Sequence, residues 1–429
     1  MMKYRSVVVS GIGSVSPLGR DAQSTWEGLL GGRSGIRELS EFGTASFPVR
    51  VGGEVPSAGS SESSADRKLR KLVMREVLLG IAAAREAVQD AEAAGAADPL
   101  RFGLFCASNG SRGEMSDLHA AILSSRRQDG SVDVERFGRD GLKEIIPLWL
   151  LKSLANNALC HLSIQFNIQG ANCNYAASSV GGLQAIGSGL RAIQRGELDM
   201  ALCVAYDSFV HWEDLLQYTR IGFLARDGGA LTPQQVSRPF DLKRCGAVPS
   251  EGGGALLLEG EEHARARGVR PYASILGFGQ SINGNSLMAP PADGRGIAQA
   301  LRAALNDAGL APQDLACLCA NGSSSPRLDR AEAAGIHAAM GPAGGDLVVT
   351  APKSMLGHMM VAAPAVECSV AARMIRESCI VPTINHEYPD PHCRLNIATA
   401  PRRHAAMDAV ACLSSGVGGQ NAALIMGRA

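Results

Sequence analysis

The sequence predicts an α/β protein built twice over from one strand-and-helix plan, its sheets and helices stacked as α/β/α/β/α layers. Three observations carry that expectation. Short β-branched strands alternate with Ala-rich helical stretches, one motif recurs in the two halves, and 429 residues, 46% of them hydrophobic, are enough to bury such a core. Strands joined by crossover helices imply mainly parallel sheets, buried on both faces.

The first strand reads VVVSGIG from Val7. Its glycines fit a tight turn and lack the GxGxxG spacing of a dinucleotide loop. From Ile81, IAAAREAVQDAEAAGAADPLRFGLFCASNGS gives an Ala-rich helix, a turn and an apolar strand ending in Asn-Gly-Ser. From Ile297, IAQALRAALNDAGLAPQDLACLCANGSS repeats that order, and ASILGFG from Ala273 stands upstream of it as VVVSGIG stands upstream of the first copy. The polar stretch from Ser124, SSRRQDGSVDVERFGRDGLKE, reads as a solvated cap. A boundary near residue 260 divides the chain into halves 1–260 and 261–429.

A formal net charge of +0 offers no basic footprint for nucleic acid or an anionic membrane surface. The N-terminal apolar run is too short for a signal-peptide core and no run reaches spanning length, so a cytoplasmic protein without a membrane span is expected. Eleven cysteines, an odd count without an export signal, read as reduced thiols. Cys317 and Cys319 alternate with Leu318 as in a strand, and no second pair stands at zinc-site spacing. No metal and no prosthetic group are expected.

Chemistry-bearing residues cluster at a few places. After Tyr175, AASSVGG leads into a helix whose face is marked by Leu183, Ile186, Leu190 and Ile193 and whose stop is Gly196. Ser178 and Ser179 therefore lie at a strand-to-helix turn. Local sequence alone makes one of them an N-cap, the ordinary task of serine there; the other use of such a turn is to expose a nucleophile at the positive end of a helix. CANGSSSPRLDRAE from Cys319, APKSMLGHMMVAAPAVE from Ala351 and SSGVGGQNAALIMG from Ser414 are the remaining polar clusters in apolar surroundings. Burial is expected to favour the neutral forms of Lys353 and His358.

Together these stretches resemble the β-ketoacyl-ACP synthases of the thiolase superfamily, along essentially the whole chain. The motifs VVVSGIGSVSPLG, SRPFDLKRCGAVPSEGGGALLLE, PKSMLGHMM, VPTIN from Val381 and GVGGQNAAL fall in family order. The resemblance implies the duplicated five-layer thiolase fold, a dimer, acyl carrier protein as partner, and a place in fatty-acid or polyketide assembly. The phosphopantetheine arm then arrives on the carrier as substrate, and no cofactor is held.

Carried over residue by residue, the family's nucleophilic cysteine aligns with Ser179 and its first catalytic histidine with Asn321. Lys353, His358 and Glu332 match their family positions. Ser415 stands where a gating phenylalanine is usual and Val417 where a second one lies, beside the oxyanion donor; Ser323, Ser325 and Gly418 complete the expected substrate-binding set. A hydroxyl does not reach its anion near neutral pH as a thiol does, and its ester is a weaker acyl donor than a thioester. The resemblance thus implies a non-condensing subunit like the chain-length factors, as a homodimer or in a heterodimer with an active ketosynthase. The alternatives are a Ser179-dependent acyltransferase or thioesterase, with His358 as base, and a malonyl-ACP decarboxylase using Asn321 and His358.

Overall fold

The computed structural model describes residues 4–57, 69–109, 115–226, 229–287, 289–404 and 407–429. Gly110 and Ser111, the end of the first Asn-Gly-Ser copy, lie outside the described residues. The core strands of the N-terminal half are β1 (Val7–Val15), β2 (Phe102–Ala107), β3 (Asn172–Tyr175), β4 (Met200–Ser208) and β5 (Glu251–Gly260). Those of the C-terminal half are β6 (Ala273–Ile282), β7 (Cys317–Cys319), β8 (Val348–Thr350), β9 (Asn396–Ile397), β10 (Ala409–Ser415) and β11 (Gln420–Gly427). The principal helices are α1 (Arg75–Asp90), α2 (Gly181–Gln194), α3 (Arg295–Ala308), α4 (Pro326–Met340) and α5 (Ala363–Glu377).

The strand order is β9, β8, β7, β10, β11, β6, β1, β5, β4, β2, β3. Its right side, β3-β2-β4-β5-β1, repeats on the left as β8-β7-β10-β11-β6, each strand in its corresponding place. The recurring motif in the sequence is thus a recurring topology. Between the halves, β1 and β6 share only the pairs Val8–Ser274 and Val9–Ala273.

Mainly parallel pairing was expected, and the structure corrects it. The outer strands of each half run parallel, β3, β2 and β4 on one side and β9, β8, β7 and β10 on the other, whereas β5 lies antiparallel to both β4 and β1, and β11 antiparallel to β10 and β6. The last strand of the N-terminal half returns after a long connection that carries the short helix Trp212–Arg220, and the last strand of the C-terminal half returns directly. In the C-terminal half it turns through residues 416–419, and a hairpin connection fixes antiparallel pairing.

Successive residues of β5 alternate between two cores, Ala255 and Leu257 into one, Leu256 and Leu258 into the other. The outer N-terminal core sets Val77, Ala84 and Val88 of α1 on Leu104, Leu202 and Leu257. The central core holds Leu183, Ile186 and Leu190 of α2 and Val366, Val370 and Met374 of α5 between Leu256 and Val410 of the two halves. The outer C-terminal core packs Ile297, Leu301 and Leu305 of α3 on Leu318, Val349 and Leu413. These cores separate five layers, the thiolase-like α/β/α/β/α arrangement. The stretch after Ser124 is less uniformly polar-faced than its composition suggests: Val134 and Leu142 are exposed, and so are Ile146, Leu150, Leu154 and Ile164 beyond it.

Candidate active site

The turn between β3 and α2 is bent sharply. Ala177 takes φ −135°, ψ 39°, and Ser178 has φ 49°, in the left-handed region that costs a side-chain-bearing residue free energy. A 3-10 turn, Ser178–Val180, follows, and α2 begins at Gly181. Neither serine caps the helix: Val180 occupies the cap position without a side-chain bond, because the extra turn displaces the serines one step upstream. A β-carbon at Gly182 would lie 3.0 Å from Pro364 Cγ and from Val361 O, so glycine there lets α2 meet the segment before α5.

Ser179 is 2% exposed. Its carbonyl accepts the Ser414 hydroxyl at 2.7 Å, which ties the turn to the end of β10. Its hydroxyl faces the Met360 thioether at 3.9 Å, a weak acceptor. Gly416 closes the other side, since a β-carbon there would sit 3.2 Å from Ser178 Oγ and 3.4 Å from Ser179 N.

His358 belongs to the loop between Lys353–Leu356 and α5. Its Nδ1 accepts the amide of Met360 at 3.1 Å. Its ring lies edge-on to Phe209 and Phe223, with centroids 6.4 Å and 5.5 Å away. Burial first, then the charge of Lys353, holds its pKa well below the ordinary 6.5. The imidazole is neutral, as expected, but it makes no recorded hydrogen bond to Ser179. Lys353 is fully enclosed and its Nζ donates to Glu367 Oε1 at 2.6 Å.

Glu332, on α4, accepts the amides of Asn321 at 2.6 Å and Gly322 at 2.8 Å. It positions the Asn321 loop, and its carboxyl is pushed up to about 8 by burial and then by the charge of Asp329. Asp329 holds the same loop by accepting the Ser323 hydroxyl at 3.0 Å, while also receiving the Phe240 amide at 2.8 Å. Asn321 Oδ1 is buried without a hydrogen-bond partner.

A cavity of about 310 Å³ brings together Asn321, Ser325, Glu332, Ser415 and Val417, and Phe223 also lines it. Ser323 is turned to Asp329, Gly418 donates its amide to Leu287 O at 2.9 Å, and neither lines the cavity. Ser179, Lys353 and His358 do not line it. Two participants were missed in sequence. Glu367 carries the only carboxylate of APAVE, a signal that was available; the left-handed backbone of Met360, φ 45°, leaves no mark in residue type. Among the described residues no cluster of His, Cys, Asp and Glu suits a metal ion, and no helix is long and apolar enough to cross a membrane.

Duplicated layers meeting at a strained turn, with a lysine, a histidine and a glycine-rich hairpin around it, define a thiolase-like condensing-enzyme frame. Residues 4–264 match the family described as Beta-ketoacyl synthase, N-terminal domain, and residues 272–387 its C-terminal domain. The chain belongs to the β-ketoacyl synthase family. It is 31% identical over 438 residues to 3-oxoacyl-(acyl-carrier-protein) synthase 2 of Vibrio cholerae, covering 100% of both proteins. Among solved structures it resembles the ishigamide ketosynthase/chain length factor, with TM-score 0.84 and 30% identity over 99% of this chain and 100% of that one. It also resembles a ketosynthase bound to a hexaketide in complex with a type II polyketide synthase acyl carrier protein, with TM-score 0.85 and 25% identity over 99% and 100%.

Proposed function

We propose that the protein is a non-condensing member of its family, a chain-length-factor-like subunit that handles acyl groups on acyl carrier protein in fatty-acid or polyketide assembly. One observation carries this reading: the hydroxyl at the nucleophile position faces the Met360 thioether, while the sole catalytic-position histidine has Nδ1 engaged by its own loop. A serine needs a base to attack a thioester, and among the described residues the Ser179 hydroxyl makes no hydrogen bond to one. The ishigamide ketosynthase/chain length factor resemblance supports the role, although the Vibrio relative is named as a synthase. Leu142, Ile146, Leu150, Leu154 and Ile164 are exposed in the half that carries the edge strand β3, and exposed apolar side chains and an unpaired strand edge are features that a partner subunit covers.

A serine acyl-enzyme is the second reading, favoured by the strained left-handed backbone of Ser178 beside a buried Ser179. Intact-mass measurement after incubation with malonyl- and acyl-carrier proteins separates the two. The non-condensing reading expects no adduct and a heterodimer on co-expression with an active ketosynthase; an acyl adduct lost in Ser179→Ala overturns it.

A further inference from the structure

The cavity of about 310 Å³ holds a thiol that the proposed function leaves unused. Cys245 lines it together with Asn321 and Phe223, and no other cysteine among the described residues does. Seven of the eleven cysteines are buried, and burial pushes the thiols of Cys106, Cys203, Cys317 and Cys393 up, away from the thiolate that reacts. Cys245 is only half-buried.

Its position is fixed from both sides. Arg244, before it, is held by the Asp390 carboxylate at 2.9 Å and by the Asp241 carbonyl at 2.6 Å. Gly246, after it, donates its amide to Ser324 O at 3.1 Å. Gly246 has φ 141°, and a β-carbon there would lie 2.5 Å from Leu224 C and from Ala225 N, so no side chain fits. Ser324 belongs to the Asn321 loop, and that one hydrogen bond therefore joins the segment carrying the thiol to the segment carrying the carboxamide.

A second, independent observation points to a ligand. Asn321 is 1% exposed, and its Oδ1 has no hydrogen-bond partner among the described residues. An orphaned buried acceptor is satisfied when a ligand brings an N–H. One class of small molecule answers both the thiol and the acceptor. It is a thiol with an amide N–H two carbons from its sulfur, as in pantetheine and in cysteinyl peptides such as glutathione.

We infer that Cys245 is a thiolation site for amide-bearing thiols, with Asn321 accepting the amide N–H of the captured half. The step is thiol–disulfide exchange. The Cys245 thiolate attacks one sulfur of a disulfide R–S–S–R, whose S–S bond breaks as the new one forms; R–S⁻ leaves with the bonding pair and takes up the proton that Cys245 lost. One disulfide and one thiol become one mixed disulfide and one thiol, and no other oxidant is consumed. The inference goes beyond the proposed function and does not depend on it, since the exchange needs neither an acyl group nor Ser179.

The test exposes the full chain to the disulfides of pantetheine, of glutathione and of mercaptoethanol, the last without an amide, and follows intact mass with peptide mapping. Each rate is divided by that of the same disulfide with free cysteine. One thiol half should add at Cys245, come off with dithiothreitol, and fail to add in Cys245→Ser. The amide-bearing disulfides should react there about tenfold faster than the amide-free one, the worth of one hydrogen bond to a buried acceptor. Asn321→Ala should remove that advantage and leave the amide-free rate unchanged, and circular dichroism checks its fold. The wild-type comparison and Cys245→Ser decide the matter even where Asn321→Ala fails to fold. A faster reaction with pantetheine disulfide assigns the site to a carrier's arm, and a faster one with glutathione disulfide to a peptide thiol. Labelling confined to Cys160, Cys173 or Cys379, or equal rates for all three disulfides at Cys245, overturns the inference and leaves the acyl-binding reading intact.

Discussion

The carboxyl of Glu332 makes folding of this protein pH-dependent in a direction opposite to that of an ordinary ion-paired acid. It is 1% exposed and is raised from 4.5 to about 8, chiefly by burial and then by the charge of Asp329, against the opposing pull of the Gly322 amide and of Lys353. A raised acid keeps its proton in the folded chain where the unfolded chain has released it. The folded state therefore binds more protons between these two values, and its stability falls as pH rises through that window. For one group with a folded value near 8, the loss from pH 7 to pH 8 is RT ln(11/2), about 1 kcal/mol. Asp207, also raised to about 8 by burial and then by Asp214, acts in the same sense. His358 acts in the opposite sense, because its folded value lies well below 6.5; stability it withholds at acid pH is recovered by about pH 7, so the window above neutrality belongs to the acids. Glu332→Gln removes one titration. With a melting entropy on the order of 1 kcal/mol/K for a chain of this length, the wild-type melting temperature should fall about 1 °C further than that of Glu332→Gln between pH 7 and pH 8. Scanning fluorimetry at half-unit steps reads this difference; parallel curves, or a wild type that becomes more stable toward pH 8, would refute the reasoning.

Ser179→Cys alone should not create a condensing enzyme, because Asn321 still replaces a histidine and the Met360 sulfur still masks the site; a deficit on the order of 10³ in rate against an intact ketosynthase is expected, read by chromatography of the product from malonyl- and acyl-carrier proteins. Lys353→Met should cost about 3–5 kcal/mol by leaving Glu367 buried and unpaired, and Lys353→Met with Glu367→Leu should recover most of it; urea unfolding of both variants checks this, and a single variant as stable as wild type contradicts the pairing.

The halves were legible because their likeness lies in helix and strand order, which hydrophobic periodicity reports directly. Strand direction was not: nothing in the alternation along EGGGALLLEG says that β5 enters antiparallel between β4 and β1. The position of Ser179 follows from its spacing to the helix, whereas the expected serine cap fails because a 3-10 turn moves the start of α2 to Gly181. Glu332 was placed with the catalytic residues from its alignment, and its geometry makes it the support of the Asn321 loop. The partner of Lys353 is Glu367, on another helix. Such pairings depend on how α4 comes to lie against the Asn321 loop and α5 against Lys353, which no local pattern encodes.

Retention of Lys353, His358 and Glu332 says less about chemistry than their family positions suggest. Removing one member of a buried polar set leaves its partners desolvated and unpaired, at a cost of about 1–3 kcal/mol each and more for a charge. Lys353 with Glu367, Glu332 with two amides, and Asp329 with Ser323 are therefore required by the folded state whatever reaction the site performs. The more telling atoms are those the fold leaves unpaired. Asn321 Oδ1 and Ser178 Oγ are both buried without a hydrogen-bond partner; Asn321 lines the first cavity, and Ser178 lies against Gly416, which also lines it. Polar atoms orphaned beside one cavity lose that cost when a ligand supplies the missing partner. Those two orphaned atoms mark the Asn321 and Gly416 side of the cavity as the place where the proposed acyl ligand would find its polar partners.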